Sequence, residues 1–186
     1  MRSTASVAFK LGIPVAALAL VVSASLPNTV ASTSSVNKRS SSAIAITADG
    51  ATLLVVNPDS NSLTLVDTAS RSVIAEIAVG VDPRAVAVSP DDALAYVANQ
   101  GSDSVSVVDL ATYDVTPVVA GDRPVGVAVS PDGRFVAVAE LGDDRVRFLD
   151  VANLSTLSLV PVGDRPHGLA FTPDGRHLAW MTTENR

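Results

Sequence analysis

Cysteine is absent from the 186 residues, and aromatic residues make up only 4% of them. The absence of thiols excludes a disulfide scaffold and any cysteine-based zinc or iron–sulfur site. Charged residues are also scarce, at 17%, while 47% of the residues are hydrophobic, so the composition is not that of a disordered acidic chain. The formal net charge of −6 disfavours nucleic acid as a partner, because binding to phosphates needs clustered Lys and Arg.

The N-terminal segment has the pattern of a secretory signal. Arg2 and Lys10 precede an uncharged apolar stretch over residues 11–22, and small residues follow it. This stretch is shorter than the roughly 20 residues that a membrane-spanning helix needs. We therefore predict a signal peptide, or an uncleaved anchor, over residues 1–31, followed by a Ser-rich linker over residues 32–42.

The remainder of the chain repeats one pattern at intervals of 41 or 42 residues. A Ser/Thr-Pro-Asp turn, closed by Gly in two copies and by Asp in one, recurs three times after a degraded copy at residues 47–50, and a second marker, an aspartate at a strand end, keeps the same period. Two markers in one register indicate a genuine internal repeat. The turn markers are Pro90 and Asp91, then Pro131, Asp132 and Gly133, then Pro173, Asp174 and Gly175, and the strand-end markers are Asp67, Asp109 and Asp150.

Each repeat reads as four short strands. The first strand alternates small and large apolar residues in every copy, a period of two that predicts a strand buried on both faces. We place these first strands at residues 43–46, 85–88, 126–129 and 168–171, and the second strands at residues 52–57, 94–99, 135–140 and 178–182. The fourth strands, at residues 73–79, 115–119 and 156–162, include Pro117 and Pro161, which sheets accept on edge strands. The pattern predicts an all-β protein, a β-propeller of four-stranded antiparallel blades.

The turn has a physical reason for each residue type. Proline presets φ at the second position, and glycine takes the left-handed conformation at the fourth. Asp92 stands in the place of that glycine in the second copy, and aspartate tolerates the left-handed conformation better than most residues.

Three strings resemble the YVTN-type β-propeller repeat: Val88-Ser89-Pro90-Asp91, Tyr96-Val97-Ala98-Asn99 and Val105-Ser106-Val107-Val108-Asp109. The glycines at 80, 121 and 163 match the Val-Gly junction of that repeat, although Glu140 departs from the expected Asn. The resemblance covers residues 42–186 and implies blades over residues 43–80, 85–121 and 125–163 and a partial blade over residues 167–186. Related proteins include exported proteins of unknown role, lactonase-like enzymes and the propeller domains of redox enzymes.

About three and a half repeats are fewer than a closed ring of four to eight blades contains. A truncated or partial chain, an oligomer that completes the ring and an open arc are the competing explanations, and we favour truncation because the last copy stops inside a blade. This expectation concerns the whole propeller and leaves its total blade number open.

The mouth of the central channel is the predicted ligand-binding surface. Arg84 and His167 occupy one position of the repeat, and Arg123 and Arg165 occupy an earlier one. These four side chains would hold an anion or a carboxylate around the axis. The alternative, which the usual solvation of loop charges favours, is that the arginines pair with neighbouring aspartates such as Asp122.

No pattern in the sequence predicts catalytic residues, a metal site or a cofactor. The two histidines, His167 and His177, lack companions at ligand spacing, and no nucleophile elbow, phosphate loop or haem attachment motif occurs. The strand-end aspartates recur in every blade, which favours a structural role as acceptors of loop amides.

The sequence therefore predicts an exported binding or interaction module, located in the periplasm, the cell envelope or outside the cell. Its partner is an unknown protein or small molecule, with no nucleic acid and with membrane contact only through the N-terminal segment. The alternatives are a lactonase-like hydrolase with its site at the channel mouth and the propeller part of a redox enzyme.

Overall fold

The computed structural model describes residues 42–183, and the predicted signal peptide and nearly all of the predicted linker lie outside this range. The described residues form fourteen β-strands and one short 3-10 helix, Gln100–Ser102. This helix of three residues, the one helix within residues 42–183, is too short to span a membrane.

The strands pair in chain order into three four-stranded antiparallel sheets and one two-stranded sheet. Each sheet is one blade, or part of one, as the repeat predicts. Blade 1 contains β1 (Ile44–Ile46), β2 (Thr52–Asn57), β3 (Ser62–Asp67) and β4 (Ser72–Ala78). Blade 2 contains β5 (Pro83–Val88), β6 (Leu94–Asn99), β7 (Ser104–Asp109) and β8 (Val115–Val119). Blade 3 contains β9 (Pro124–Val129), β10 (Phe135–Glu140), β11 (Arg145–Asp150) and β12 (Thr156–Pro161). The fourth, two-stranded blade contains β13 (Pro166–Phe171) and β14 (Leu178–Thr182).

The prediction of an incomplete propeller with four-stranded blades is confirmed. The second strands have the predicted bounds in all four copies, and Pro117 and Pro161 lie on the edge strands β8 and β12. The inner strands of blades 2, 3 and 4 begin two residues earlier than predicted, at Pro83, Pro124 and Pro166. Proline is acceptable there because the first residue of a strand need not donate to the ladder.

The outer strands also differ slightly from the prediction. β4 covers Ser72–Ala78 rather than residues 73–79, and β12 ends at Pro161, one residue before the predicted end. The pairing of each third strand with its outer strand shifts register in blades 1 and 3, and such local irregularities break the two-residue period on which the prediction depends.

The hydrophobic core consists of layers between neighbouring blades. Because alternate residues of a strand point to opposite faces, the second strand of blade 2 supplies two layers. Ala95 and Val97 pack against blade 1, whereas Tyr96 and Ala98 pack against blade 3. A third layer, around Leu169, joins blade 3 to the last strand pair. Small side chains on the inner strands permit this close approach of successive blades.

The repeated turns have the conformations that their residue types predict. Gly50, Gly133 and Gly175 have φ of 73°, 71° and 69°, and Asp92 takes the equivalent conformation with φ of 59°. The strand-end aspartates accept hydrogen bonds from loop amides: Asp67 from Ser70 N at 2.6 Å, Asp109 from Ala111 N at 2.8 Å and Asp150 from Ala152 N at 2.7 Å. These contacts give the recurrence a structural cause.

Candidate functional site

The candidate site lies on the side of the propeller where successive blades are connected. In blade 3, Pro124 pairs with Glu140, Glu140 with Arg145, and Arg145 with Pro161, so these four residues form one edge of the sheet. The loops that join one blade to the next meet this edge. We call this surface the junction face, and its connecting segments, residues 80–82, 121–123 and 163–165, the junction loops.

Each junction loop ends on a residue in the left-handed conformation. These residues are Asp82, Arg123 and Arg165, with φ of 53°, 51° and 52°. The backbone N–H of each donates to a side chain in the preceding blade: to Asn61 Oδ1 at 2.8 Å, Asp103 Oδ1 at 2.9 Å and Asp144 Oδ1 at 2.8 Å, respectively. A side-chain acceptor from one blade therefore holds the entry to the next blade in place.

All four predicted ligand-binding residues lie on this face. Arg123 and Arg165 close their junction loops, while Arg84 and His167 are the second residues of β5 and β13. They are spread over three successive blade junctions. His167 Nδ1 is buried and has no hydrogen-bond partner among residues 42–183.

The ion pairs of these arginines are local and exposed. Arg84 Nη2 lies 2.9 Å from Asp82 Oδ2, and Arg123 Nε lies 3.5 Å from Asp122 Oδ2. The side chains of the two arginines remain 47% and 48% exposed. Pairs this exposed contribute little stability, so both guanidinium groups keep capacity for a further acceptor. Arg165 is exposed and makes no ion pair within residues 42–183.

A charged cluster on the same face was missed by the sequence reasoning. Glu140 is fully buried at the end of β10, and its carboxylate accepts hydrogen bonds from the Nε atoms of Arg145 and Arg147 on β11. It also accepts Gly121 N at 2.8 Å. The Arg145 guanidinium contacts Asp143 Oδ2 at 2.7 Å, and the hydrogen bond with Glu140 raises the pKa of Arg145.

The equivalent positions in the other blades are neutral. In blade 2, Asn99 Nδ2 donates to Ser104 Oγ at 3.2 Å and to Ser106 Oγ at 3.0 Å. In blade 1, Asn57 Nδ2 donates in the same way to Ser62 Oγ and Thr64 Oγ1. Blade 3 thus replaces all three polar residues together, Asn by Glu and both hydroxyl residues by Arg. The register of the repeat aligns these three positions in every blade. Their simultaneous change to charged residues in blade 3 was therefore the signal from which the sequence could have predicted the cluster.

Two of the three junction glycines, Gly80 and Gly121, have a steric reason. A Cβ added to Gly80 would lie 2.5 Å from Ser102 Oγ and 2.6 Å from Asn99 Cγ. A Cβ added to Gly121 would overlap the carboxylates of Glu140 and Asp143. At Gly163 the nearest atom, Thr182 Cγ2, would be at an ordinary 3.4 Å. The need for glycine therefore comes from the polar residue at the end of the second strand.

Within residues 42–183, no group of three His, Cys, Asp or Glu side chains is arranged to hold a metal ion. The chemistry that the junction face offers is hydrogen bonding and charge pairing by guanidinium groups, together with the imidazole of His167. Guanidinium groups match the geometry of carboxylates, to which they can donate two parallel hydrogen bonds.

Blades stacked around an axis and joined through this face define the β-propeller class of protein. The family model described as "Lactonase, 7-bladed beta-propeller" matches residues 20–125, which is more than half of the chain. The chain therefore belongs to the seven-bladed β-propeller lactonase family, in agreement with the resemblance drawn from the repeat.

Solved propeller structures are similar to the described fold. Hydrazine synthase of Kuenenia stuttgartiensis matches with a TM-score of 0.73 and 35% identity, over 76% of this chain and 42% of that one. Dihydro-heme d1 dehydrogenase NirN in complex with DHE matches with a TM-score of 0.61 and 26% identity, over 69% and 29%. A functionally unknown protein from Desulfotomaculum acetoxidans shares the fold, with a TM-score of 0.68, 20% identity and coverage of 76% and 49%.

The chain spans less than half the length of each of these structures. No curated protein matches the sequence.

Proposed function

We propose that this chain is an exported propeller module that binds a small carboxylate on its junction face. The supporting observation is that Arg123 and Arg165 occupy the same left-handed position at successive junctions, each with its backbone N–H held by an aspartate of the preceding blade. The backbone of each arginine is thereby fixed while its side chain remains exposed. A prepositioned cation loses less conformational freedom when an anion binds.

Arg165 is the strongest candidate for the ligand contact. It forms no ion pair inside residues 42–183, so a carboxylate would not have to displace an existing acid. His167 lies two residues further on, and its buried Nδ1 forms no hydrogen bond with any residue in the range 42–183. Arg123 would supply a second guanidinium from the neighbouring junction. Two cationic contacts from adjacent blades would discriminate a carboxylate from a neutral sugar.

Gluconate is a suitable probe for this proposal, with glucose as the neutral comparator. We expect calorimetric binding of gluconate to weaken at least fivefold in Arg165→Ala and Arg123→Ala. Arg176→Ala is the matched control, because Arg176 is an exposed arginine in the Pro-Asp-Gly turn of the last strand pair, at the opposite end of the strands. Equal gluconate affinity in the Arg165 and Arg176 variants, or glucose binding as tight as gluconate binding, would contradict the proposal.

Hydrolysis of a sugar lactone is the second candidate function, and the family description favours it. In this reaction water adds to the lactone carbonyl, the ring C–O bond breaks, and a hydroxy acid is released. The junction arginines would stabilise the negative charge on the carbonyl oxygen, and the product carboxylate would have the chemistry of the proposed ligand. Lactone turnover that persists unchanged in Arg123→Ala, Arg165→Ala and His167→Ala would exclude the junction face as its site.

Similarity to hydrazine synthase and to NirN supports a third candidate, a propeller domain that serves a redox enzyme. This role needs no catalytic residue within the described strands. Tight association of the chain with a redox-active protein fragment, unaffected by substitution of Arg165, would favour this candidate over the first two.

Export is part of the proposal and depends on residues 1–31, which lie outside the described range. Alkaline phosphatase fused after residue 42 reports it, because this enzyme needs disulfides that form outside the cytosol. We expect phosphatase activity from the fusion that carries the unchanged residues 1–42. The same fusion with Leu18→Arg, which places a charge in the apolar stretch, should lose this activity. Val22-Ser23-Ala24 and Thr29-Val30-Ala31 both resemble signal-peptidase sites, and mass spectrometry of the secreted product would show which of the two is cleaved.

A further inference from the structure

Three successive backbone N–H groups of the second junction loop each donate to a carboxylate. Gly121 N donates to Glu140 at 2.8 Å, Asp122 N to Asp143 at 2.9 Å and Arg123 N to Asp103 at 2.9 Å. Hydrogen bonds to ionised acceptors are about twice as strong as those between neutral groups. The loop is therefore held by charge at every residue.

In the first junction loop, the backbone N–H groups of the first two residues donate to neutral acceptors instead of carboxylates. Gly80 N donates to Ser106 Oγ at 3.2 Å and Val81 N to Ser102 Oγ at 3.0 Å. The two loops have equivalent places in the repeat and equivalent left-handed ends. The fold therefore does not require the ionic arrangement, and blade 3 differs for another reason.

The two carboxylates in blade 3 are themselves held in place. Arg145 contacts both Glu140 and Asp143, and Arg147 contacts Glu140 while its Nη1 donates to Thr156 Oγ1 on the outer strand at 2.7 Å. Glu140 is completely buried and the Arg147 side chain is 13% exposed. Buried ions are costly unless they are paired and fully hydrogen-bonded, so each member depends on the others.

We infer that Glu140, Asp143, Arg145 and Arg147 are positioning residues for Arg123 at the proposed ligand site. This inference rests on the proposed function, because it takes Arg123 as a ligand contact. The network extends from β12 through β11 to β10 and ends on the backbone amides of the two residues that precede Arg123. A rigid loop presents the guanidinium in one orientation, which reduces the ordering required on binding. The second and third junction loops both end on an arginine and the first ends on Asp82; among residues 42–183 only the second loop is held by this ionic network.

The chain provides its own replacement for the network. The triple substitution Glu140→Asn, Arg145→Ser and Arg147→Ser introduces the residues that blade 2 carries at the same positions, namely Asn99, Ser104 and Ser106. This variant leaves no buried charge unpaired at Glu140, unlike the single change Glu140→Gln. It is therefore expected to fold, and a far-UV circular dichroism spectrum like that of the natural chain would confirm this.

Amide hydrogen exchange measured by NMR tests the positioning directly. We expect exchange at Gly121 and Asp122 to accelerate at least tenfold in the triple variant. Exchange at Gly80 and Val81, the equivalent amides of blade 2, should stay unchanged and serves as the internal control. Unaltered exchange at Gly121 and Asp122 would overturn the inference.

Gluconate affinity tests whether the positioning acts through Arg123. We expect the triple variant to bind gluconate about threefold to tenfold more weakly, and to cause no further loss in an Arg123→Ala background. A loss of equal size in both backgrounds would overturn the inference, since the network would then act independently of Arg123.

The same measurements separate this inference from the proposed function. If Arg123→Ala weakens gluconate binding while the triple variant does not, the inference fails and the proposed function stands. If the natural chain does not bind gluconate, the carboxylate function fails, and the exchange result alone decides whether the network positions the loop.

Discussion

The Asp92 carboxylate accepts the backbone N–H of Ala48 from the neighbouring blade, at 2.8 Å for Oδ1 and 2.9 Å for Oδ2. Asp92 is the one non-glycine residue at its turn position in the four described copies, where it has φ of 59°. The strain of a non-glycine residue in the left-handed backbone conformation is thus accompanied by a hydrogen bond between blades that glycine could not make. The turn of blade 2 therefore connects two blades as well as two strands.

Asp92→Ala should lower the free energy of unfolding by about 1–2 kcal/mol, because alanine keeps the left-handed strain and loses the hydrogen bond. Asp92→Gly loses the hydrogen bond but relieves the strain, so it should cost less than Asp92→Ala by about 1 kcal/mol. Urea unfolding of both variants measures the difference. An alanine variant more stable than the glycine variant would contradict this account.

Gly121→Ala should destabilise the protein by about 1–3 kcal/mol through overpacking. The added methyl group would overlap the Glu140 carboxylate. That carboxylate cannot move away, because it is buried and hydrogen-bonded to two arginines. Gly163→Ala is the matched control and should change stability by less than about 0.5 kcal/mol, since its new methyl group would make only ordinary contact with Thr182. Thermal unfolding of the two variants compares them, and equal losses would refute the steric explanation.

Tyr96→Phe should stabilise the protein near neutral pH, by about 1 kcal/mol. The Tyr96 hydroxyl is buried and has no hydrogen-bond partner among residues 42–183, and such a group carries its full desolvation cost. Tyr113→Phe, at a tyrosine that is 40% exposed, should have little effect. Urea unfolding at pH 8 checks both variants; a less stable phenylalanine variant at position 96 would show that the hydroxyl has a partner in solution.

The same substitution should change the response to alkaline pH. Burial, together with the negative charge of Asp91, raises the pKa of Tyr96 to about 12 from an ordinary 10.0. Because the folded-state pKa is the higher one, the contribution of this residue is fully present below pH 10 and is lost as the pH rises towards 12. Urea unfolding between pH 9 and 12 should show a smaller stability loss in Tyr96→Phe than in the natural chain. Parallel pH profiles would contradict the assignment.

Stability should decline when the pH falls below about 4. Hydroxyl groups two residues earlier in the turns donate to Asp49, Asp91 and Asp174, and these hydrogen bonds lower the pKa of each carboxyl group below its ordinary 3.8. The unfolded chain then binds more protons than the folded one, so stability is present above the ordinary pKa and is lost as the pH falls through the folded-state value.

Asp91→Asn should therefore flatten the acid limb of the stability profile, measured by urea unfolding between pH 2.5 and 6. Asp59→Asn, in an exposed turn of blade 1, is the comparison. A steeper acid limb in Asp91→Asn than in Asp59→Asn would contradict the proposed hydrogen-bond origin.

Local patterns were sufficient for most of the fold. The bounds of all four second strands follow from the apolar alternation between a Pro-Asp turn and a polar loop, both of which are local signals. The starts of the inner strands were misplaced because Pro83 and its equivalents belong to strands that are irregular at their first residues. A proline followed by a register shift does not give a period of two.

Local patterns in the sequence were enough to predict the class of protein, its repeated turns and the placement of Arg84, Arg123, Arg165 and His167 at the blade junctions. Those features depend on spacing and on backbone preferences, which act over a few residues. The network in which Glu140, Arg145 and Arg147 join the amide of Gly121 became visible in the folded chain, because the β10–β11 hairpin meets a junction loop about 20 residues away there. Ionic contacts of this kind depend on the register of the β10–β11 hairpin and on the burial that makes an unpaired charge costly.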